Sequence, residues 1–185
     1  VKLELRPDAS GFVRRECPRC RRHFKTRPSP SDAGVLQRAL CALSPFEVEE
    51  RSASGDAHGA CAPERSCLYC GHRAGAEAWL TEEQQAHLEA LARAWGDHVR
   101  YEQLAHVART LAQNPRPTFI AVPPAELPGP MPAEPDDMRV LPLLCCGEDV
   151  KALWDWDEPL FCPRCGARHS GVAGRSRVEL QFIEE

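Results

Sequence analysis

With 185 residues, 17 prolines, 12 glycines and only 6% aromatic side chains, the chain has too little apolar surface per residue for one large core. A fold this lean is predicted to need support beyond burial. The absence of any run of about 18 apolar residues excludes a membrane-spanning helix, and ten cysteines at a net charge of −4, behind a charged opening with no apolar leader, point to a soluble cytoplasmic chain rather than a disulfide-framed secreted one.

In chain order, Leu3 and Leu5 alternate with charged residues, and Pro7-Asp8-Ala9-Ser10 reads as a turn before Gly11-Phe12-Val13, so a hairpin is expected ahead of the first cysteine pair. Residues 26–66 are rich in Ser, Ala, Pro and Gly and read as a long insertion with one short helix around Val35 to Leu43. Thr81-Glu82-Glu83-Gln84 matches a capping box and predicts a helix start. Leu88, Leu91, Trp95 and Val99 then share one helical face, and Leu104, Val107 and Leu111 continue after a phase shift. That shift falls at Gly96-Asp97 and predicts a kink or break between two helices; Asn114-Pro115 ends the run. Eight prolines within residues 115–135 predict an extended, polyproline-like linker. Beyond it, Val140 to Leu144, Val150 to Leu153, Leu160-Phe161 and Val178 to Ile183 read as short strands. No internal repeat is visible apart from the recurrence of the cysteine motif.

The chemistry-bearing pattern is the cysteines. Cys17-Pro18-Arg19-Cys20 and Cys67-Leu68-Tyr69-Cys70-Gly71 form one set, and Cys162-Pro163-Arg164-Cys165-Gly166 forms half of another. Two intervening residues let both thiolates of a pair point inward from one tight turn, and two such turns facing each other close a tetrahedron around zinc. Glycine after the second cysteine supplies a positive φ; Arg21 stands at that position in the first pair. The upstream half of the second set is the adjacent Cys145-Cys146-Gly147, with His169 replacing one of the two as the alternative. For the first set, His23 or His72 are alternative ligands, and exchange of partners between the sets is a third arrangement. Cys41 and Cys61 read as free thiols, the alternative being a third site with His58.

Cys17, Cys20, Cys67 and Cys70, on their strand-then-C-P-x-C and C-x-x-C-G pattern, resemble the zinc-ribbon family. That resemblance implies small β-hairpin scaffolds, and it leaves function open, because such ribbons serve in transcription factors, ribosomal proteins, enzymes and adaptors alike.

Enzymatic patterns are weak by comparison. No H-E-x-x-H, G-x-S-x-G or P-loop sequence occurs. His87-Leu88-Glu89 lacks the P-C-x-x-C partner of a zinc deaminase, because Phe161 stands where proline is needed. His87, His98 and His106 are not spaced as i, i+4 ligands. Four thiolates at each site would leave no position for a catalytic water.

Arg14, Arg15, Arg19, Arg21, Arg22 and Lys25, with Arg27, form a basic stretch opposed by Glu16 alone. It reads as a phosphate-gripping patch or as compensation for the negative charge of a four-thiolate zinc centre. Eight acidic against two basic residues between 134 and 158 oppose nucleic-acid binding there, and two filled sites would carry the net charge to about −8. Trp154 and Trp156 would share one face of a strand, either packing on their own ribbon or anchoring a protein partner.

The sequence therefore predicts an α+β chain: an N-terminal ribbon in 1–80, a helical segment in 81–114, a linker in 115–135 and a C-terminal ribbon in 136–185. Two structural zinc ions, on Cys17, Cys20, Cys67 and Cys70 and on Cys145, Cys146, Cys162 and Cys165, are the expected cofactors. The expected role is a non-catalytic scaffold or adaptor for a protein partner, with Trp154 and Trp156 as contacts. The alternative is a nucleic-acid-binding accessory protein using the basic stretch.

Overall fold

The computed structural model describes residues 5–43, 64–111 and 122–170. Strands β1 (Val13–Glu16) and β2 (His23–Thr26) form a hairpin around the first cysteine pair. Helix α1 (Ser31–Leu43) follows, then β3 (Arg65–Ser66) and β4 (Arg73–Ala74) around the second pair. A 3₁₀ turn (Ala76–Trp79) leads into helix α2 (Glu82–Leu111). Strands β5 (Arg139–Leu143) and β6 (Glu148–Ala152) enclose Cys145-Cys146, and β7 (Leu160–Phe161) and β8 (Arg168–His169) enclose the last pair. The class is α+β, with several small antiparallel sheets. The expected strand at Val178 to Ile183 lies outside the described residues, as does Leu3. Leu5 to Asp8 is not strand. Asp8 instead closes the predicted turn, its Oδ1 accepting from the Ser10 and Phe12 amides at 3.0 and 2.9 Å.

The sequence places one ribbon at each end of the chain; the fold brings their strands into one sheet, ordered β1-β2-β6-β5. Strand β2 pairs β6 antiparallel, with Lys25 opposite Lys151 and Thr26 opposite Val150. The smaller hairpins also meet, the Ser66 amide donating to Pro163 O at 2.9 Å and the Phe161 amide to Leu68 O at 2.8 Å. One core therefore serves both ends: Phe24, Leu68, Tyr69 and Trp79 pack with Leu141, Leu143, Val150 and Leu160. Phe24 sits edge-on to Trp79, ring centroids 5.9 Å apart, and to Tyr69 at 6.3 Å.

These pairings are reciprocal. Register matches β1-β2 to β5-β6 position by position: Arg14 pairs Lys25 as Val140 pairs Lys151, and Arg15 pairs Phe24 as Leu141 pairs Val150. Likewise Arg65 pairs Ala74 as Leu160 pairs His169. The two inter-hairpin hydrogen bonds exchange under the same correspondence. The strand pairing thus has an approximate internal two-fold axis running through the Lys25–Lys151 pair. The sequence shows no such repeat, because apart from Cys20 and Cys146, Cys67 and Cys162, Cys70 and Cys165, Gly71 and Gly166, Arg73 and Arg168, and this lysine pair the matched side chains have diverged.

Of the proline-rich segment, residues 122–137 carry no helix or strand, and Pro128, Met131 and Glu134 are half-buried at every third position, the period of a polyproline helix. It does not hold two modules apart. It returns to the sheet, where Glu134 accepts from Arg14 Nε at 2.9 Å and Asp137 from Arg14 at 2.5 Å. The lysines on the axis are fully buried and share Asp8 Oδ2, at 3.2 Å from Lys25 and 2.8 Å from Lys151. Asp137 lies 3.0 Å from Lys25, Asp136 lies 2.5 Å from Lys151, and Pro135 O also accepts from Lys25. Like charges opposed across a sheet repel; this ring of carboxylates is what lets the lysines face each other.

The capping box forms as read: Thr81 Oγ1 accepts from the Gln84 amide at 3.2 Å and Gln84 Oε1 from the Thr81 amide at 3.0 Å. Leu88 of α2 and Leu80 just before it pack on Leu36 of α1. The expected break at Gly96-Asp97 is absent, and α2 runs unbroken past it. Glycine costs a helix interior only about 1 kcal/mol. The phase shift has another consequence: Leu88, Leu91, Ala92 and Gly96 are buried, whereas Leu104, Val107 and Leu111 face outward. No helix among the described residues is long and apolar enough to cross a membrane.

Candidate metal centres

Three of the four cysteine turns rest on the same backbone frame. In the first, the Arg21 amide donates to Cys17 O at 2.9 Å and the Cys17 amide to Arg22 O at 3.0 Å; Gly71 and His72 repeat this around Cys67, and Gly166 and Ala167 around Cys162. The frame needs a left-handed residue after the second cysteine, and φ there is +59° at Arg21, +67° at Gly71, +74° at Gly166 and +62° at Gly147. An arginine tolerates this strained position at some cost; its Nε reaches the buried Glu16 at 2.7 Å.

These turns gather the cysteines into two sets. The Sγ atoms of Cys17, Cys20, Cys67 and Cys70 all lie within 4.8 Å of one another, as do those of Cys145, Cys146, Cys162 and Cys165. Measured edges are 3.7 Å for Cys17–Cys70 and for Cys20–Cys67, and 3.6 Å for Cys145–Cys165. A tetrahedral ion with sulfurs at about 2.3 Å implies edges of about 3.8 Å. The donor set and its spacing therefore fit a thiolate-bound metal ion in both places.

The sets differ in exposure. Cys17 and Cys67 are buried with Cys20 and Cys70 half-buried, whereas Cys145 and Cys165 are exposed. Backbone amides point at the first set, Cys20 N lying 3.4 Å from Cys17 Sγ and Tyr69 N 3.4 Å from Cys67 Sγ. At the second set His169 Nε2 lies 3.2 Å from Cys145 Sγ. His23 and His72 do not join the first: His23 faces Glu16 and Arg14, and His72 lies beside Trp79.

The electrostatics suit a cation. Burial pushes the Cys17 and Cys67 thiols up, while Cys20 is lowered against its own burial by the Arg22 amide and the neighbouring sulfurs. In the second set desolvation and the neighbouring thiols raise Cys145 to about 12, and the Cys165 thiol, then desolvation, raises Cys146 to about 11. The Ala167 amide and the other sulfurs lower Cys165 to about 7. One thiolate in each cluster is thus favoured at its neighbours' expense. A divalent ion removes that competition, since it binds the deprotonated form of all four.

Half of the basic stretch is consumed inside the fold. Arg15 is buried against Asp32 at 2.6 Å, Arg14 against Glu134 and Asp137, and Lys25 lies on the axis. Arg19, Arg21 and Arg22 remain exposed, Arg21 joined to Glu16 and Arg22 lying over the Trp156 ring at 4.8 Å. Trp154 and Trp156 do not share a strand face, because they sit in a turn closed by Trp156 N donating to Leu153 O at 3.3 Å. Trp156 packs on Tyr69 of the other half at 4.6 Å, while Trp154 is 67% exposed. The internal match of the two halves had a partial signal in sequence, the C-x-x-C-G of Gly71 and Gly166. The side chain of Cys41, and all of His58 and Cys61, lie outside what is described.

No protein family, curated protein or solved structure matches this chain.

Proposed function

We propose that this chain is a non-catalytic scaffold in which two zinc ions, one in each cysteine cluster, stabilise a small fold that offers its surface to a protein partner. Closure of each cluster by four sulfurs carries this reading: it leaves an ion no open position for water or substrate, the arrangement of a structural rather than a catalytic zinc. Zinc is favoured among thiolate-binding metals because tetrahedral four-sulfur sites suit it. Trp154, on the turn after β6, is an exposed aromatic of the type enriched at binding hot spots. The test is to purify the chain with its partner from native cells, then rebuild the complex from the two isolated proteins with and without Trp154→Ala. A complex that forms equally well with the variant removes Trp154, and the absence of any stoichiometric partner removes the scaffold reading.

A nucleic-acid role would rest on the exposed Arg19, Arg21, Arg22 and Arg27, since Arg14, Arg15 and Lys25 are internally paired. Single- and double-stranded oligonucleotides titrated at low salt decide it. Binding that fades as salt rises and weakens in Arg19→Glu/Arg22→Glu favours that role; no binding at low salt removes it.

A further inference from the structure

The internal two-fold makes each half a control for the other, and two of the matched differences between the halves bear on the second centre. Register sets Leu143 where the first half has Cys17, and Cys145 where it has Arg19. The second hairpin has thus kept the left-handed residue after the second cysteine, at Gly147, but moved its first sulfur from the buried strand end to the exposed tip. Leu143 fills the vacated core position. The second difference lies on the opposite hairpin, where His169 pairs Leu160 as Ala74 pairs Arg65. The half with the displaced cysteine is also the half with an imidazole at this strand position, and its Nε2 lies 3.2 Å from that cysteine's sulfur.

We propose that His169 is a reserve ligand of the second centre, able to take the place of Cys145 around a divalent ion. Cys146, Cys162 and Cys165 hold the ion in either state. The fourth position alternates between a thiolate at an exposed turn and a neutral imidazole already beside it, both ordinary zinc donors. The exchange moves no backbone hydrogen bond of the cysteine turns, because Cys145 lies at the tip and His169 at a strand end. It lowers the centre's net negative charge by one and frees an exposed thiolate while the ion stays bound. The first centre has no such alternative, since Ala74 offers no donor and His23 faces Glu16 and Arg14. The second centre is therefore open to thiol modification without loss of metal, and the first is not.

This inference rests on the two-ion reading, and one set of measurements separates the failures. Metal content and cobalt(II)-substituted absorption spectra are compared for the full-length unmodified chain, Cys145→Ser, Cys145→Ser/His169→Ala and Cys17→Ser. Fewer than two equivalents in the unmodified chain would overturn the metal reading itself. The reserve ligand predicts two equivalents for Cys145→Ser with reduced thiolate-to-cobalt absorbance, and one equivalent each for the double variant and Cys17→Ser. A drop to one in Cys145→Ser, or two retained in the double variant, would overturn it. Limited iodoacetamide treatment of the unmodified metal-loaded chain, read by native mass spectrometry, needs no substitution. Among the eight clustered cysteines, alkylation first at Cys145 with both ions retained is expected, and release of an ion on that alkylation refutes the exchange.

Discussion

Asp8 illustrates how much one side chain carries when it lies on the internal axis. Burial by itself would raise its pKa, yet bonds from Lys151, the Phe12 amide and Lys25 hold the carboxyl down at about 2. The same oxygen meets both axial lysines. Replacing it with asparagine keeps the shape but leaves two buried ammonium groups short of a counter-charge. Removing one partner of a buried ion pair costs about 3–5 kcal/mol, so Asp8→Asn is expected to lower unfolding free energy by that order while two metal equivalents remain; denaturant titration of the metal-loaded protein measures it. The glycines offer a finer comparison. Gly71 and Gly147 are both left-handed, but a Cβ on Gly71 would sit 3.0 Å from the Phe161 ring whereas one on Gly147 meets nothing within 4 Å. Backbone strain of about 1–2 kcal/mol is common to both. Gly71→Ala should therefore cost more than Gly147→Ala, because it also pushes apart the contact between the halves; equal losses would mean that Phe161 yields freely.

Elements were legible where the signal is local. The Thr81–Gln84 box forms its reciprocal bonds because both partners lie within one turn, and the cysteine pairs form turns because their frame closes within six residues. What could not be read is set by contacts distant in sequence. The phase shift after Trp95 looked like a break, yet it only turns the later apolar residues away from α1. The basic stretch looked like a surface patch because the acids that pair half of it lie outside it, Asp8 and Asp32 on either side and Glu134 and Asp137 far along the chain. Trp154 and Trp156 looked like neighbours on a strand because a turn at Leu153 is not encoded by glycine or proline. Helix α2 carries a prediction of its own. Its first half is held by buried Leu88, Leu91 and Ala92, whereas Leu104, Val107 and Leu111 are exposed. Opening free energy tracks buried contact, so amides beyond Leu104 should exchange with solvent on the order of tenfold faster than those around Leu88 and Leu91. Uniform protection along α2 would mean that the outward face is covered in solution.

On the scale of the whole molecule, the question is whether the two candidate metal centres, once filled, make two stabilities or one. Separate ribbons at the chain ends would lose their ions and structure independently. Here β2 pairs β6, the Cys67 and Cys162 turns exchange hydrogen bonds through Ser66, Leu68, Phe161 and Pro163, and one core runs beneath both. Freeing either cluster loosens strands that position the other. Structural zinc sites commonly contribute about 10–16 kcal/mol to folding in small domains, more than the typical total stability of such a fold. Chelator titration of the zinc-loaded chain, followed by circular dichroism and ion release together, should then show one transition in which both ions and the sheet are lost. Cys162→Ser should likewise weaken the intact Cys17, Cys20, Cys67 and Cys70 site by at least about tenfold, the ratio given by about 1.4 kcal/mol of lost support. Two well-separated release steps, or an undisturbed first site in that variant, would mean that the shared sheet carries too little free energy to couple the centres.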